Sequence, residues 1–352
     1  MIESNGLARL KGHLKGQLVL PDDRLYESAR RPAPYGDTPF TDKRPAIIVR
    51  CATEEDVQRA VAFAREHDLL TAVRSGGHSG AFFSACEGGM VIDVSEMKHT
   101  LISAAARIGC FGGGIQSGEL NRAAQAHGLA TPMGEWLTTG ISGVTLGGGF
   151  GWLTPKFGVA CDNLIAANVV TADARVVVAE ENENADLLWG LRGGGENFGI
   201  ATRLEYQLHA VDQVVAGLVV YPYRQARDGL RFFGDFMATA PDELAALAYA
   251  QLLDEPMLWV VACYHGELEQ GERVLAPLGS LGHPIRDAIC RRRYLDFVES
   301  PFFEVPLGPN HVKTGFIQSL TEDVIDRLLA SVSAAPSRFS AIGLDHHMHG
   351  FV

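Results

Sequence analysis

"AIIVRCATEEDVQRAVAFAREHDLLTAVRSGGHS", residues 46–79, is the stretch on which the fold turns. The apolar run 46–50 has the composition of a buried strand. Over 53–67 the spacing predicts a helix: Thr53 offers an N-cap, and Glu54, Glu55 and Asp56 place negative charge in the first turn. Val57, Ala60, Val61 and Ala64 then follow the i, i+3, i+4, i+7 rule. "LLTAV", 69–73, is a second strand, so 46–73 forms one β-α-β unit. The loop "RSGGHS", 74–79, therefore stands at the carboxyl end of a strand, where α/β folds place their ligands. Its two glycines allow close backbone approach, and its imidazole is a reactive group set in that loop.

Working outward, the segment before this unit reads as irregular and rich in Pro and Arg. Beyond it, 89–95 is a further strand and 117–128 a helix with Leu120, Ala123 and Ala124 inward and Gly128 at its end. A strand pair spans 165–180 with a turn near Asp173, followed by a short helix at 184–191 and a strand approaching 208. After His209 the glycine clusters stop. Strand-like runs at 214–223, 257–266 and 339–350 alternate with helical segments 224–238 and 321–334, the pattern of a separate α+β domain. The expected division is 1–208 (core 45–208) and 209–352.

The 352 residues carry a net charge of −12 and no basic stripe, which argues against nucleic acid and anionic membrane as partners. No apolar run reaches 18 residues, and the first sixteen show no secretory pattern. The six cysteines are scattered with no C-x-x-C pair, which suits reduced thiols in a cytoplasm.

Three glycine clusters, at 112–114, 147–149 and 193–195, fall before residue 200. Glycine at a strand end lets backbone N–H groups turn toward an anion, and several such loops suit a ligand as long as a dinucleotide. Taken singly, each cluster also fits a tight turn or close packing. Neither G-x-x-x-x-G-K-[ST] nor a G-x-G-x-x-G after the first strand is present, against a P-loop or a nicotinamide-type Rossmann domain.

Together, "RPAIIVRCATEEDVQRAVAFARE", "VRSGGHS", "GGMVIDVSEMK", "GGGIQSGELN", "GLATPMGEWLTTGISGVTLGGGFGWLTPKFGVACDNL" and "GGGENFGIAT" resemble, in order and spacing, the flavin domain of the p-cresol methylhydroxylase/vanillyl-alcohol oxidase superfamily. Within it the chain is most similar to bacterial members of the berberine bridge enzyme-like group. The resemblance covers 45–208; the second half matches more loosely, through "APDEL" and "HHMHG". It implies an α+β protein: a two-lobed FAD-binding domain plus a substrate (cap) domain with an antiparallel sheet and helices.

The resemblance further implies that Arg74, Ser75, Gly76, Gly77, His78 and Ser79 wrap the FAD pyrophosphate, with His78 joined covalently to the flavin 8α-methyl group. A neutral imidazole is a nucleophile suited to that bond. Gly140, Ile141, Ser142, Gly143 and Val144 are expected along the pyrophosphate and ribityl chain, with Phe150 and Ile200 flanking the ends of the cofactor. Many relatives carry a second, cysteinyl link; Trp136 stands at that place and Cys161 elsewhere, so a single link is expected. Trp136 is then either a wall of the flavin pocket or an ordinary core tryptophan. Pro155 and Phe157 depart from the family's usual residues.

"DHHMHG", 345–350, invites a metal reading, in which His347 and His349 share a strand face and need His311 or His265 as partners. The resemblance implies pocket lining or proton acceptors there instead, and satisfied sheet histidines fit as well; no metal is expected. Relatives continue beyond the segment matching 341–352, so a cap short of its final part, and slow turnover, are expected. The implied activity is hydride transfer from an alcohol, hemiacetal or amine carbon of a small substrate to FAD, with dioxygen as reoxidant. A dehydrogenase using another acceptor and a weakly active flavin-binding protein are the alternatives. The catalytic base is unassigned, His347 and His349 being candidates, and homo-oligomerisation is left open.

Overall fold

The structure is a computed structural model and describes residues 4–31, 42–195, 197–251, 256–300, 313–338 and 340–346. Two compact units divide the described chain: one holds residues up to 150 and 159–210, the other 151–158 and the residues from 211 onward that are described.

The first unit contains two sheets. One has the spatial order Gln17–Val19, Ile47–Arg50, Met90–Asp93, Thr71–Arg74. Its last three strands run parallel, and Gln17–Val19 joins antiparallel at the edge. Met90–Asp93 is inserted between the two strands of the β-α-β unit, so its neighbours are not consecutive in sequence. The crossover helix Glu54–Glu66 starts at Thr53, whose hydroxyl accepts from the Asp56 amide at 3.3 Å, closing a capping box with Asp56. Its apolar face (Val57, Ala60, Phe63, Ala64) packs with Ile47, Val49, Met90 and Ile92. Nineteen-residue spacing between Arg74 and Asp93 ends in a buried ion pair of 2.8 Å across adjacent strands.

The second sheet is antiparallel, in the order Thr100–Ser103, Ile108–Gly112, Ile200–Gln207, Leu164–Val170, Val176–Glu180. Phe111, Leu164, Ala167, Val169, Leu204 and Tyr206 form its core with Leu120 and Ile141 from the helices Ser117–Gln125 and Ile141–Leu146.

In the second unit Arg286–Asp287, Gln213–Pro222, Met257–Tyr264, Leu244–Gln251 and Ala341–His346 make one antiparallel sheet, with Cys290–Arg293 also on Gln213–Pro222. Helices Ala226–Met237, Leu268–Ser280 and Glu322–Ser333 supply Leu230, Phe233, Leu275, Leu278 and Ile325 to its core.

Several elements depart from the sequence expectation. The start is not irregular: Ser4–His13 is a helix, although no acid occupies its first turn, and Leu7 and Leu10 settle it against the first core. Thr100–Ser103 and Ile108–Gly112 pair with each other as strands, and Ile108–Gly112 pairs on its other side with Ile200–Gln207. Leu268–Ser280 is helical across Pro277. Residues 151–158 go with the second unit: Trp152 meets Phe297 edge-on at 5.0 Å, Phe157 stacks on His265 at 5.4 Å, and Lys156 pairs with Glu243 at 3.1 Å.

Candidate functional site

Three loops of the first unit meet at the carboxyl end of Thr71–Arg74. Ser75 from the first loop and Ser142 from the helix Ile141–Leu146 both donate to the Gly113 carbonyl, at 2.8 and 2.6 Å. The Gly113 amide in turn donates to Thr202 O at 2.9 Å. Thr202 lies within a register shift of its strand, between Ala201 and Arg203, and its hydroxyl reaches Glu54 Oε2 at 2.6 Å. A β-bulge frees a residue from the regular ladder and re-aims its groups, and here the bulged residue serves the site loops and the crossover helix together.

Backbone meets backbone between the first and third loops. A Cβ on Gly76 would overlap the Gly140 amide nitrogen, and one on Gly140 would overlap the Gly76 nitrogen and the Ser75 hydroxyl. Only glycine at both places permits that approach. Gly77 adopts φ +76°, turning the chain back toward His78.

The half-buried His78 ring lies with Nε2 2.8 Å from Thr138 Oγ1. Burial lowers the imidazole pKa below its ordinary value, so the ring is neutral at pH 7. Thr138 sits on a fixed strip: Gly118 N donates to Leu137 O and Ser117 N to Thr139 O, each at 2.8 Å.

Gly140 caps the helix Ile141–Leu146. Its first amide, Ile141 N, donates to Ile115 O at 2.9 Å, and the Val144 amide to Gly140 O at 3.2 Å. The second and third amides of the turn, on Ser142 and Gly143, have no intrahelical acceptor. Gly143 is exposed, and a Cβ there would meet nothing within 4 Å. At the far side of the helix, Thr145 Oγ1 lies 2.8 Å from the buried Tyr206 hydroxyl, whose pKa burial raises.

The remaining sequence candidates lie as follows. Ser79 accepts from the Phe83 amide at 3.2 Å. The Arg74 side chain turns away from the loop: its Nε and Nη2 hold Asp93, and Nη2 also donates to Ala29 O. Ile200 is buried among Ile47, Met90, Ile92 and Val170. Phe150 and Trp136 are exposed. Val144 is half-buried against the core of the second sheet. Cys161 is buried, its amide bonded to Gly148 O at 2.9 Å. His347 and His349, with His311, lie outside the described residues, and among the described residues no three His, Cys, Asp or Glu side chains come together as a metal site. Sequence reasoning missed Thr138, Gly113 and Thr202. A threonine two residues before a glycine loop carries no periodic signal, and a carbonyl that collects two serines carries none at all.

The FAD binding domain family matches residues 45–180. An FAD-linked oxidoreductase of Dictyostelium discoideum is 32% identical over 86% of this chain and 67% of its own length. The (R)-6-hydroxynicotine oxidase of Paenarthrobacter nicotinovorans is 33% identical over 81% of the chain and 62% of its own. A crystal structure of 6-hydroxy-D-nicotine oxidase from Arthrobacter nicotinovorans superposes with a TM-score of 0.77 at 32% identity, covering 81% of this chain and 63% of that one. The chain thus spans about two thirds of the length of these relatives. With the same two-domain architecture and a glycine-lined cradle at the end of a parallel strand, this chain belongs to the FAD-linked oxidoreductases of the p-cresol methylhydroxylase/vanillyl-alcohol oxidase superfamily.

Proposed function

We propose that this chain holds FAD by its pyrophosphate along residues 75–79 and 140–144, anchors it through one covalent bond to His78, and oxidises a small organic substrate with dioxygen as the final acceptor. The observation that carries the reading is the meeting of Gly76 with Gly140 beside an imidazole held by Thr138. The residues fit the group. Bare backbone lines the cradle, two amides of the Ile141–Leu146 turn lack intrahelical acceptors, and the open space at Gly143 leaves room for a ligand.

Bound FAD supplies a two-electron acceptor for hydride, the chemistry that the protein itself lacks. The chain's part is to bind, orient and anchor. Ser75 and Ser142 fix the two loops to one carbonyl, so the amides facing the ligand are held before it arrives. His78 is neutral and therefore nucleophilic at pH 7. His78 would hold the flavin by a bond from a ring nitrogen to its 8α carbon. It would give up its ring proton as the bond forms, and the two-electron oxidation that the attachment requires would be supplied by dioxygen, leaving as hydrogen peroxide.

The substrate we infer is a small molecule with an oxidisable alcohol, hemiacetal or amine carbon. 6-Hydroxynicotine, which appears in the name of a relative, is the reference compound for assay. On a denaturing gel the purified protein is expected to show flavin fluorescence, and His78→Ala to abolish it. Peptide mass mapping is expected to place flavin on the His78 peptide alone. Equal fluorescence from the variant, or an adduct on Cys161, would overturn the assignment.

A further inference from the structure

We propose that Thr138 is the positioning residue for the flavin-linking histidine, its hydroxyl setting the orientation and tautomer of the His78 ring before FAD is attached. The inference rests on the covalent reading for its consequence, and on geometry alone for the tautomer.

His78 stands on a glycine-flanked loop, with Gly76 and Gly77 before it and Gly80 after. Such a loop restrains an imidazole poorly, because glycine resists no backbone torsion. The ring is instead referenced to a residue 60 positions away in sequence, with Nε2 2.8 Å from Thr138 Oγ1. That reference point is rigid. The carbonyls on either side of Thr138 are both bonded to the first amides of the helix Ser117–Gln125, through Gly118 to Leu137 and Ser117 to Thr139. The Ser117 hydroxyl adds a second bond to Thr139 O at 3.2 Å, and the Thr139 amide closes a turn on Trp136 O at 3.0 Å. A β-branched side chain on a pinned backbone has few rotamers, so the hydroxyl is presented in one place.

A neutral imidazole has one nitrogen that donates and one that accepts. A hydroxyl donates as well as accepts, so the tautomer assigned here is the one with the proton on Nε2, donated to Thr138, which leaves the other ring nitrogen as the nucleophile with its lone pair outside this bond. Bond formation to a bound partner is sensitive to such placement. A misplacement on the order of 1 Å costs about a hundredfold in rate.

The experiment compares the full chain with Thr138→Val, which has the same shape without the hydroxyl, and Thr138→Ser, which keeps it. Apo proteins are incubated with FAD, and covalent incorporation is followed by fluorescence after denaturation, with noncovalent affinity measured in parallel. In apo protein with 15N-labelled histidine, ring nitrogen shifts report the His78 tautomer, with His78→Ala identifying its signals. Expected are attachment slowed about tenfold or more in Thr138→Val, near-normal attachment in Thr138→Ser, FAD affinity changed by less than about twofold, and a His78 tautomer ratio altered only in Thr138→Val. A Thr138→Val protein that attaches FAD at the normal rate would overturn the proposal, as would a serine variant no better than valine. If the unmodified chain attaches no FAD at all, the covalent reading fails by itself. The ring shifts then decide the matter, and an unchanged tautomer in Thr138→Val overturns the role given to Thr138.

Discussion

His78 combines two properties that a surface histidine lacks: partial burial and a fixed hydrogen-bond partner at 2.8 Å. Burial disfavours the imidazolium, so the folded-state pKa lies below the ordinary value and the neutral ring is the form present at pH 7. Attachment requires that neutral form. Its rate is therefore expected to stay level from pH 8 down to the ordinary imidazole value of about 6.5 and to fall only below it, as the ring protonates. Timed incorporation of FAD into apo protein across pH 5–8 checks this. A midpoint above the ordinary value would mean that a neighbouring negative charge, and not burial, governs the ring. Arg74 is a different case at the same scale. It begins the motif, yet its guanidinium serves a buried pair with Asp93, so its contribution to the loop is to hold the strand end in place.

Among the elements, the crossover helix Glu54–Glu66 is the most heavily anchored at its start. The fully buried Asp56 carboxylate accepts from four backbone amides: Lys15 at 2.8 Å, Gly16 at 2.9 Å, Ala52 at 3.0 Å and Thr53 at 3.2 Å. One side chain thus caps the helix and ties it to the turn before the edge strand Gln17–Val19. Hydrogen bonds to a charged group are stronger than neutral ones, and buried donors left without an acceptor are costly. Asp56→Ala is expected to destabilise the first unit by about 3 kcal/mol, read as a lower midpoint in urea with the slope unchanged. A loss below about 0.5 kcal/mol would show that water replaces the carboxylate freely. Glu54, two residues earlier, reaches Thr202 Oγ1 at 2.6 Å and Asn168 Nδ2 at 3.2 Å, so the same helix end also braces the bulge that supports Gly113.

Across the whole molecule the described chain passes between the two units after residues 150, 158 and 210. Each unit has its own apolar core, the first centred on its two sheets and the second on its single antiparallel sheet. All the loops assigned to the cofactor lie in the first unit. A ligand that binds only the folded form stabilises what it binds, by about 2.7 kcal/mol at a hundred times its dissociation constant. In scanning calorimetry of the His78→Ala protein, added FAD is therefore expected to raise one of two transitions and leave the other in place. Equal movement of both would show that the units unfold as one. Residues 151–158 are the connection to watch, since Trp152, Lys156 and Phe157 all find their partners in the second unit.

Local chemistry alone determined the strand–helix–strand order of 46–74, the cap at Thr53 and the placement of His78 just beyond a strand end. Those features depend on neighbours within a few residues, which periodicity and capping preferences encode directly. The strand pair Leu164–Val170 and Val176–Glu180 was legible for the same reason, as two β-branched runs about a polar turn. What only the tertiary structure decided is which loops meet. The contact of Gly76 with Gly140, the choice of Thr138 as partner for His78, and the shared Gly113 carbonyl join residues about 30 to 60 positions apart or more. The same holds for the helix Ser4–His13 and the strand Ile108–Gly112, whose own sequences signal little. They form because burial against a distant partner outweighs weak local preference, and that partner is named nowhere in the local sequence.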